Sequence, residues 1–285
     1  MTTTRQSFAI TGANGYLGTF LVKFLRDKGH RVIKLGRNLS PNEKEVYPYH
    51  LGETVSPDFL REIDTLIHCA YDFSAVTKEE IFKSNVGGSI KLFNEASQAG
   101  VPKIVFISSM SAFPGCLSLY GQGKLEVEKK SAPLGVISIR PGMIYDESPK
   151  GIVGIMDKIV HSLPLIPLIG KGDQPLFFCH VEDLAHLVLE IAEGRIPRPV
   201  KPIIAAHPSG KTFQQMFEIL ANRRQKKVAT IPCPAWIPWL LLKTLEKIGL
   251  RLRLKSDNVV SLTSTLSNPD FTSLHPAGTQ FRAFT

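Results

Sequence analysis

Cysteine is scarce in this 285-residue chain: Cys69, Cys116, Cys179 and Cys233 stand far apart, with no CxxC pair and no His/Cys cluster at ligand spacing. That excludes a structural zinc site and a disulfide framework, and it reads as reduced, buried thiols in an intracellular, cytoplasmic protein with no metal. No apolar run is long enough to span a bilayer, and the leading Met1-Thr2-Thr3-Thr4-Arg5-Gln6 has no apolar signal core. Internal repeats and low-complexity tracts are also missing. A net charge of +9 raises nucleic acid as a partner. Yet the basic residues are spread out, with short clusters at Arg223-Arg224-Gln225-Lys226-Lys227 and Arg251-Leu252-Arg253-Leu254-Lys255, and no basic stripe is interleaved with stacking aromatics. The charge reads as solvated basic faces that also attract an anionic ligand; no nucleic-acid partner is expected.

What the chain does have is alternation. Strands are predicted near 7–11, 31–35, 65–69, 103–108 and 135–140, with helices near 16–28, 57–62, 77–99 and 120–131. Gly29 and Gly100 stand where helices end, and Pro102 stops the long one. The pattern implies an α/β fold, a doubly wound parallel sheet of Rossmann type over residues 1–145. Beyond it Pro149, Gly151, Pro164, Pro167, Gly170, Gly172 and Pro175 interrupt the chain often. Helical patterns at 151–163, 182–193, 211–223 and 235–249 predict a smaller, mostly helical substrate-binding part over 146–285, interleaved with the core near 176–205. Ligands of open α/β sheets lie beyond the carboxyl ends of the strands, so the two parts should share one cleft. Segment 235–250, AWIPWLLLKTLEKIGL, is aromatic and apolar, then basic. The helical recurrence of its apolar positions favours a packed helix of the cap or a dimer interface. The alternative is an amphipathic helix touching a membrane or a greasy substrate.

Residues 8–18 read FAITGANGYLG: an apolar strand, a glycine-rich turn, then an amphipathic helix with Phe20, Leu21, Phe24 and Leu25. Gly12, Ala13, Asn14, Gly15, Tyr16, Leu17 and Gly18 can bring backbone close to a pyrophosphate and aim a helix N-terminus at it. The second strand ends at Gly36-Arg37. An acid there would bind a ribose 2′-hydroxyl; an uncharged site beside a guanidinium suits a 2′-phosphate, hence NADP(H) in preference to NAD(H). An arginine stacked over adenine in either cofactor is the competing reading. A second constellation is Ser109 followed by Tyr120 and Lys124, the latter two one helical turn apart on one face. A phenol titrates too high to work at neutral pH, and a neighbouring ammonium should bring it nearer. Ser109 at a strand end could orient a substrate oxygen, and together the three make a proton-transfer site for a carbonyl/alcohol pair. Asp146 and Glu147 read as a solvated turn, and His161, His180, His186 and His207 as structural.

In this order the motifs resemble the extended short-chain dehydrogenases/reductases, the NAD-dependent epimerase/dehydratase-like superfamily, from residue 7 to at least 193. Thr11-Gly12-Ala13-Asn14-Gly15-Tyr16-Leu17-Gly18 is similar to the TGxxGxxG loop, and His68-Cys69-Ala70 to the HxA segment along the cofactor. Asn85-Val86-Gly87-Gly88-Ser89 resembles the NVxGT motif, whose Asn helps organise the active site. Phe106-Ile107-Ser108-Ser109-Met110-Ser111 resembles the strand carrying the catalytic Ser or Thr. The spacing to Phe113-Pro114-Gly115, where the family has Tyr-Gly, assigns that role to Ser109. Leu119-Tyr120-Gly121-Gln122-Gly123-Lys124 resembles the YGxSK helix with Gly123 in place of Ser, Arg140-Pro141-Gly142-Met143-Ile144-Tyr145 the RPxxxYG segment, and Cys179-His180-Val181-Glu182-Asp183-Leu184-Ala185 the HVxDLA motif.

The resemblance implies a catalytic set of Ser109, Tyr120, Lys124 and Asn85. Cysteine 69 (Cys69), Ala70, Tyr71, Lys124, Pro141 and Met143 join the loop and Gly36-Arg37 around the dinucleotide. A homodimer through two helices is likewise implied. The substrate side departs from the sugar-nucleotide enzymes: their Asn and Arg toward the diphosphate correspond to Met143 and Leu176, and His50-Leu51 stands where Asp-Leu is common beside adenine. Met143, Leu176, Phe177 and Trp236 would form an apolar pocket. The reading is an NAD(P)-dependent oxidoreductase interconverting a small carbonyl compound and its alcohol. The alternatives are a nucleotide-sugar epimerase/dehydratase with recycled NAD, a non-catalytic NADP(H) sensor, and lipid or sterol carbonyl chemistry at a membrane.

Overall fold

A computed structural model describes residues 5–37, 43–148, 150–248, 250, 254–273 and 279–285. The first half runs β1 (Ser7–Thr11), α1 (Tyr16–Asp27), β2 (Arg31–Gly36), β3 (Val46–Pro48), α2 (Pro57–Arg61), β4 (Thr65–His68), α3 (Lys78–Ile81), α4 (Gly88–Ala99), β5 (Lys103–Ile107), α5 (Leu119–Ser131) and β6 (Ile137–Pro141). The central strands β1, β4 and β5 are short apolar runs buried on both faces, as central parallel strands must be, while the edge strand β3 is half-buried to exposed. Between α3 and α4 a π-helical turn, Phe82–Gly87, interrupts one long helix and carries Asn85; such turns widen a helix locally and often sit at functional positions.

After β6 come β7 (Met143–Tyr145), α6 (Gly151–Ser162), β8 (Leu165–Ile169), β9 (Pro175–Leu176), β10 (Phe178–His180), α7 (Val181–Ala192), β11 (Ile203–Ala205), β12 (Lys211–Thr212), α8 (Phe213–Arg223), β13 (Ala229–Cys233), α9 (Trp236–Lys247) and α10 (Ser256–Thr263). The large sheet has seven parallel strands in the order β11-β6-β5-β4-β1-β2-β3. The chain moves outward from β1 to β3, then returns to β4 on the other side. That reversal opens a crevice at the carboxyl ends of β1 and β4, where Thr11 is in register with His68.

One face of the sheet is covered by α1 and α7 through Leu21, Leu25, Leu184 and Val188, the other by α2, α4 and α5 through Leu60, Leu92, Phe93 and Val127. A third core, with Val153, Met156, Phe213, Phe217 and Phe284, lies under α6 and α8. The latter part is more mixed than the helical periods imply, since three two-stranded pairings, β7/β10, β9/β12 and β8/β13, accompany its helices. These strands of two to five residues are too short to show alternation. Helix α9 lies against α10 with Leu242 and Leu245 half-buried, but none of its residues is fully buried, so one face is left uncovered. Of the four cysteines, all free, Cys116 and Cys179 are buried as expected, while Cys69 and Cys233 are half-buried. No helix among the described residues is long and apolar enough to cross a membrane.

Candidate active site

The turn after β1 is shaped by glycine. Gly12 has φ +66°, where side chains are strained, and a Cβ there would lie 2.8 Å from the Ala70 nitrogen. A Cβ on Gly18 would lie 2.2 Å from the Gly12 carbonyl oxygen, so only glycine lets α1 close on the loop. Gly15 caps α1 without a side-chain acceptor, and the first turn holds no acid. Free N–H groups and the positive helix end therefore remain available for a diphosphate, and the cradle fits one. Asn14 and Gly15 are exposed, whereas Ala13 and Leu17 are buried and could offer only backbone. The Tyr16 phenol is pushed up by burial and by the neighbouring Asp146 carboxylate. Here the expectation of a solvated turn is half corrected. One Asp146 oxygen is buried near the Tyr16 phenol; Glu147 is exposed and meets His180 Nε2 at 3.1 Å.

A buried hydrogen-bond chain crosses the crevice floor. Ala70 N donates to Thr11 Oγ1 (3.2 Å), which lies 2.7 Å from His68 Nδ1; His68 Nε2 is 2.9 Å from Ser89 Oγ, which donates to the Asn85 carbonyl at 2.6 Å. With Ser89 spending its proton on Asn85, His68 must donate from Nε2 and accept at Nδ1, so one neutral tautomer satisfies every partner. Burial, then the Lys124 charge, lowers the His68 pKa to about 3, so it stays neutral. The Asn85 side chain uses both ends on Asp72: Oδ1 accepts from its N–H at 2.6 Å and Nδ2 donates to its carbonyl at 3.1 Å. Asn85 thus ties the π-helical turn to the loop bearing Cys69, Ala70 and Tyr71.

The three serines after β5 diverge. Ser108 Oγ donates to Glu128, which also takes a two-point bond from Arg140 (2.9 and 2.5 Å), locking α5 to β6. Ser111 Oγ pairs with Ser261 Oγ at 3.0 Å. Ser109 Oγ accepts from the Ser111 N–H at 3.1 Å and lies near the Tyr120 hydroxyl, whose phenolate it favours. Lys124 is buried, donates to the Ile107 carbonyl at 2.7 Å and stands over the rings of Phe106, Tyr71 and Tyr120 at 4.6, 5.4 and 5.9 Å from their centroids. Tyr71 packs edge-on against Tyr120 at 5.0 Å. The structure therefore gathers Ser109, Tyr120, Lys124 and Tyr71 in one place. The electrostatics depart from expectation: burial raises Tyr120 to about 12, and burial lowers Lys124 to about 8. At the phenol desolvation outweighs the contact with Ser109.

Sequence reasoning missed Asp257. Its carboxylate accepts from the backbone N–H groups of Leu119 (2.7 Å) and Tyr120 (3.0 Å), capping the helix that carries Tyr120 and Lys124 from more than 130 residues away. Ser118, the local N-cap, accepts from Gly121 N. No local signal announces such a long-range cap.

Toward the adenosine end, Gly36 closes β2 and Arg37 follows exposed; residues 38–42 lie outside the described set. Burial raises Asp72, but hydrogen bonds from Ser74 and Ser84 and the Arg37 charge together pull it below the usual carboxylate range. On the far wall Pro141 is buried and Met143 half-buried, its N–H donating to the Phe177 carbonyl at 2.7 Å. The anticipated apolar pocket does not assemble. Leu176 is sunk in the third core with Met143 at its margin, because β9 pairs with β12 there. Phe177 turns toward Phe271 into a separate cleft of about 360 Å³, and Trp236 stands exposed on α9.

The family model described as NAD dependent epimerase/dehydratase family matches residues 8–200. Among curated proteins the chain is 24% identical over 294 residues to a UDP-glucose 4-epimerase of Vibrio cholerae, covering 92% of this chain and 86% of that one. It is 30% identical over 193 residues to a ceramide reductase of Caulobacter vibrioides, covering 65% and 60%. Among solved structures it is similar in fold to MoeE5 in complex with UDP-glucuronic acid and NAD, with TM-score 0.75, 19% identity and coverage of 97% and 94%.

Proposed function

We propose that this chain, which belongs to the NAD-dependent epimerase/dehydratase family, removes hydride from a carbinol carbon of a nucleotide sugar and returns it to the same substrate, as an epimerase or dehydratase does. The observation that carries the chemistry is Ser109, Tyr120 and Lys124 meeting beside the glycine loop. Tyr120 takes the hydroxyl proton, Ser109 donates to the same oxygen, and Lys124, oriented by the Ile107 carbonyl, supplies positive charge beside the phenolate. The backbone of Gly12 to Gly18 would hold the dinucleotide diphosphate. Bound oxidised nicotinamide supplies the hydride acceptor and a further positive charge favouring the phenolate. The choice of nucleotide sugar, and of a cycle without net redox change, is supported by the relatives' names.

A second reading, net interconversion of a carbonyl compound and its alcohol with NADP(H), rests on specific residues. Leu176 is buried and Met143 is apolar where a diphosphate would want charge-assisted donors, and Gly36-Arg37 leaves no acid for a ribose 2′-hydroxyl. Incubation of the purified protein with NAD and UDP-glucose or UDP-glucuronic acid, with products separated by anion exchange, tests the first reading. Epimer formation or loss of water without accumulation of reduced nicotinamide is expected. An inert nucleotide sugar beside stoichiometric NADPH consumption with small ketones would overturn it in favour of the second.

A further inference from the structure

Helix α9 is exposed to a degree its composition does not suit. Trp236 is 64% exposed, Leu241 59% and Ile248, just past its end, 67%, with Ile237 and Leu240 also exposed. These positions are not scattered. Trp236 and Leu240 are four apart, Ile237 and Leu241 four apart, and Ile248 follows Leu241 after two turns, so they form one stripe. Lys243 and Lys247 lie along one edge of the stripe, and Lys255 follows at the start of α10. The helix's one acid, Glu246, is occupied: its two oxygens take the Ser256 N–H (2.6 Å) and Oγ (2.9 Å), and Lys243 stands 3.9 Å from one of them, which leaves Lys247 and Lys255 as the stripe's cations without a carboxylate partner among the described residues.

The stripe extends toward the reacting groups. Lys255 Nζ donates to the carbonyl of Phe73, itself an exposed ring packed on Tyr71 at 4.8 Å. Leu117, also exposed, precedes the α5 terminus that Asp257 caps. Phe73, Leu117 and the end of α9 therefore gather around the start of α10, and Tyr71 connects them to Tyr120.

We propose that this face docks the enzyme on an anionic lipid surface, with the mouth of the site turned toward the bilayer. The charge decides the occupant. An apolar stripe edged with cations and bare of free carboxylates complements anionic headgroups. A two-fold pairing of the same face with a second copy would set its lysines against each other. Trp236 on the apolar helix face suits the headgroup level, where one part of the ring is dry and the N–H is wet. The helix is too short to span and so would lie in the surface plane. The inference stands apart from the substrate reading.

The test is flotation of the purified full chain with phosphatidylcholine vesicles, with and without phosphatidylglycerol. Co-flotation only with the anionic vesicles, reversed by raised salt, is expected. The paired variant Trp236→Ser, Leu240→Ser should weaken partitioning at least roughly tenfold while turnover and thermal midpoint stay unchanged. Wild-type protein that stays at the bottom with anionic vesicles overturns the proposal. So does a concentration-dependent dimer in sedimentation that the same variant abolishes, which would assign the face to a second copy.

Discussion

The two walls of the crevice satisfy their polar groups in opposite ways. On the sheet side Thr11, His68, Ser89 and Asn85 form one buried chain, and Glu128 is shared between Ser108 and Arg140, so that no side chain of this set has freedom to turn. On the C-terminal side Leu176 and Met143 belong to an apolar core, with hydrogen bonds there mainly through backbone, as from Met143 N to Phe177 O. On the proposed reading the first wall holds the dinucleotide, and its fixed side chains suit a ligand that every turnover presents in the same way. The second carries little that is committed to a particular substrate, which is where enzymes on one scaffold differ.

The sharpest way to break this comparison is to remove the group proposed to take the substrate proton. Tyr120→Phe should lower kcat by about 10²–10⁴-fold and leave dinucleotide affinity, measured by nicotinamide fluorescence, nearly unchanged. A variant with wild-type turnover would remove the assignment. Glu128→Ala tests the rigidity of the same wall away from substrate. It leaves the largely buried Arg140 unpaired, and urea unfolding should show a loss of about 3–5 kcal/mol. A loss below roughly 1 kcal/mol would mean the pair is solvent-relaxed.

This contrast also explains what was legible in the sequence. The strands and helices of the first half, the glycine turn and the Tyr120–Lys124 spacing are local patterns, and the structure brings them to one crevice. The choice of Ser109 over Ser108 and Ser111 comes from the family's spacing; its physical counterpart, Glu128 taking Ser108 and Ser261 taking Ser111, lies in partners far along the chain. Asp257 caps α5 across the whole fold, and nothing near it marks it. The period of α9 correctly indicated one apolar face, but a period says nothing about what covers the face. Leu176 and Trp236 seemed poised for one pocket because both are apolar; strand pairing sends one into the core and leaves the other in solvent.

A subtler probe of the fixed wall is pH. His68 is held at about 3 when folded, below its ordinary 6.5. Between those values the unfolded chain binds a proton that the native chain refuses, so stability falls as pH falls through that window. From pH 7 to pH 5 this group should cost on the order of 2 kcal/mol. His68→Gln should show a shallower decline in urea midpoints over the same interval; identical slopes would show that His68 takes no part.

Asp257 joins the two walls, and its removal should be felt on both. Asp257→Ala should destabilise by about 1 kcal/mol and lower kcat more than it raises KM, since the cap aims Tyr120 rather than meeting substrate. Asp257→Asn, which keeps one acceptor, should recover part of the kcat. Equal losses of stability in both variants without any change in kcat would make it a helix cap only.

The smallest effect expected is at the rim of the fixed wall, where Arg37 is exposed and screened by solvent. If Gly36-Arg37 accommodates a 2′-phosphate, Arg37→Ala should weaken NADPH binding by about fivefold to tenfold, roughly 1 kcal/mol, and NADH binding hardly at all. Losing both equally would indicate an arginine stacked on adenine, which removes one of the four residues favouring net carbonyl reduction. The recycled-NAD reading would then be opposed by Gly36 at the rim and by Met143 and Leu176 on the wall the comparison identifies as the variable one.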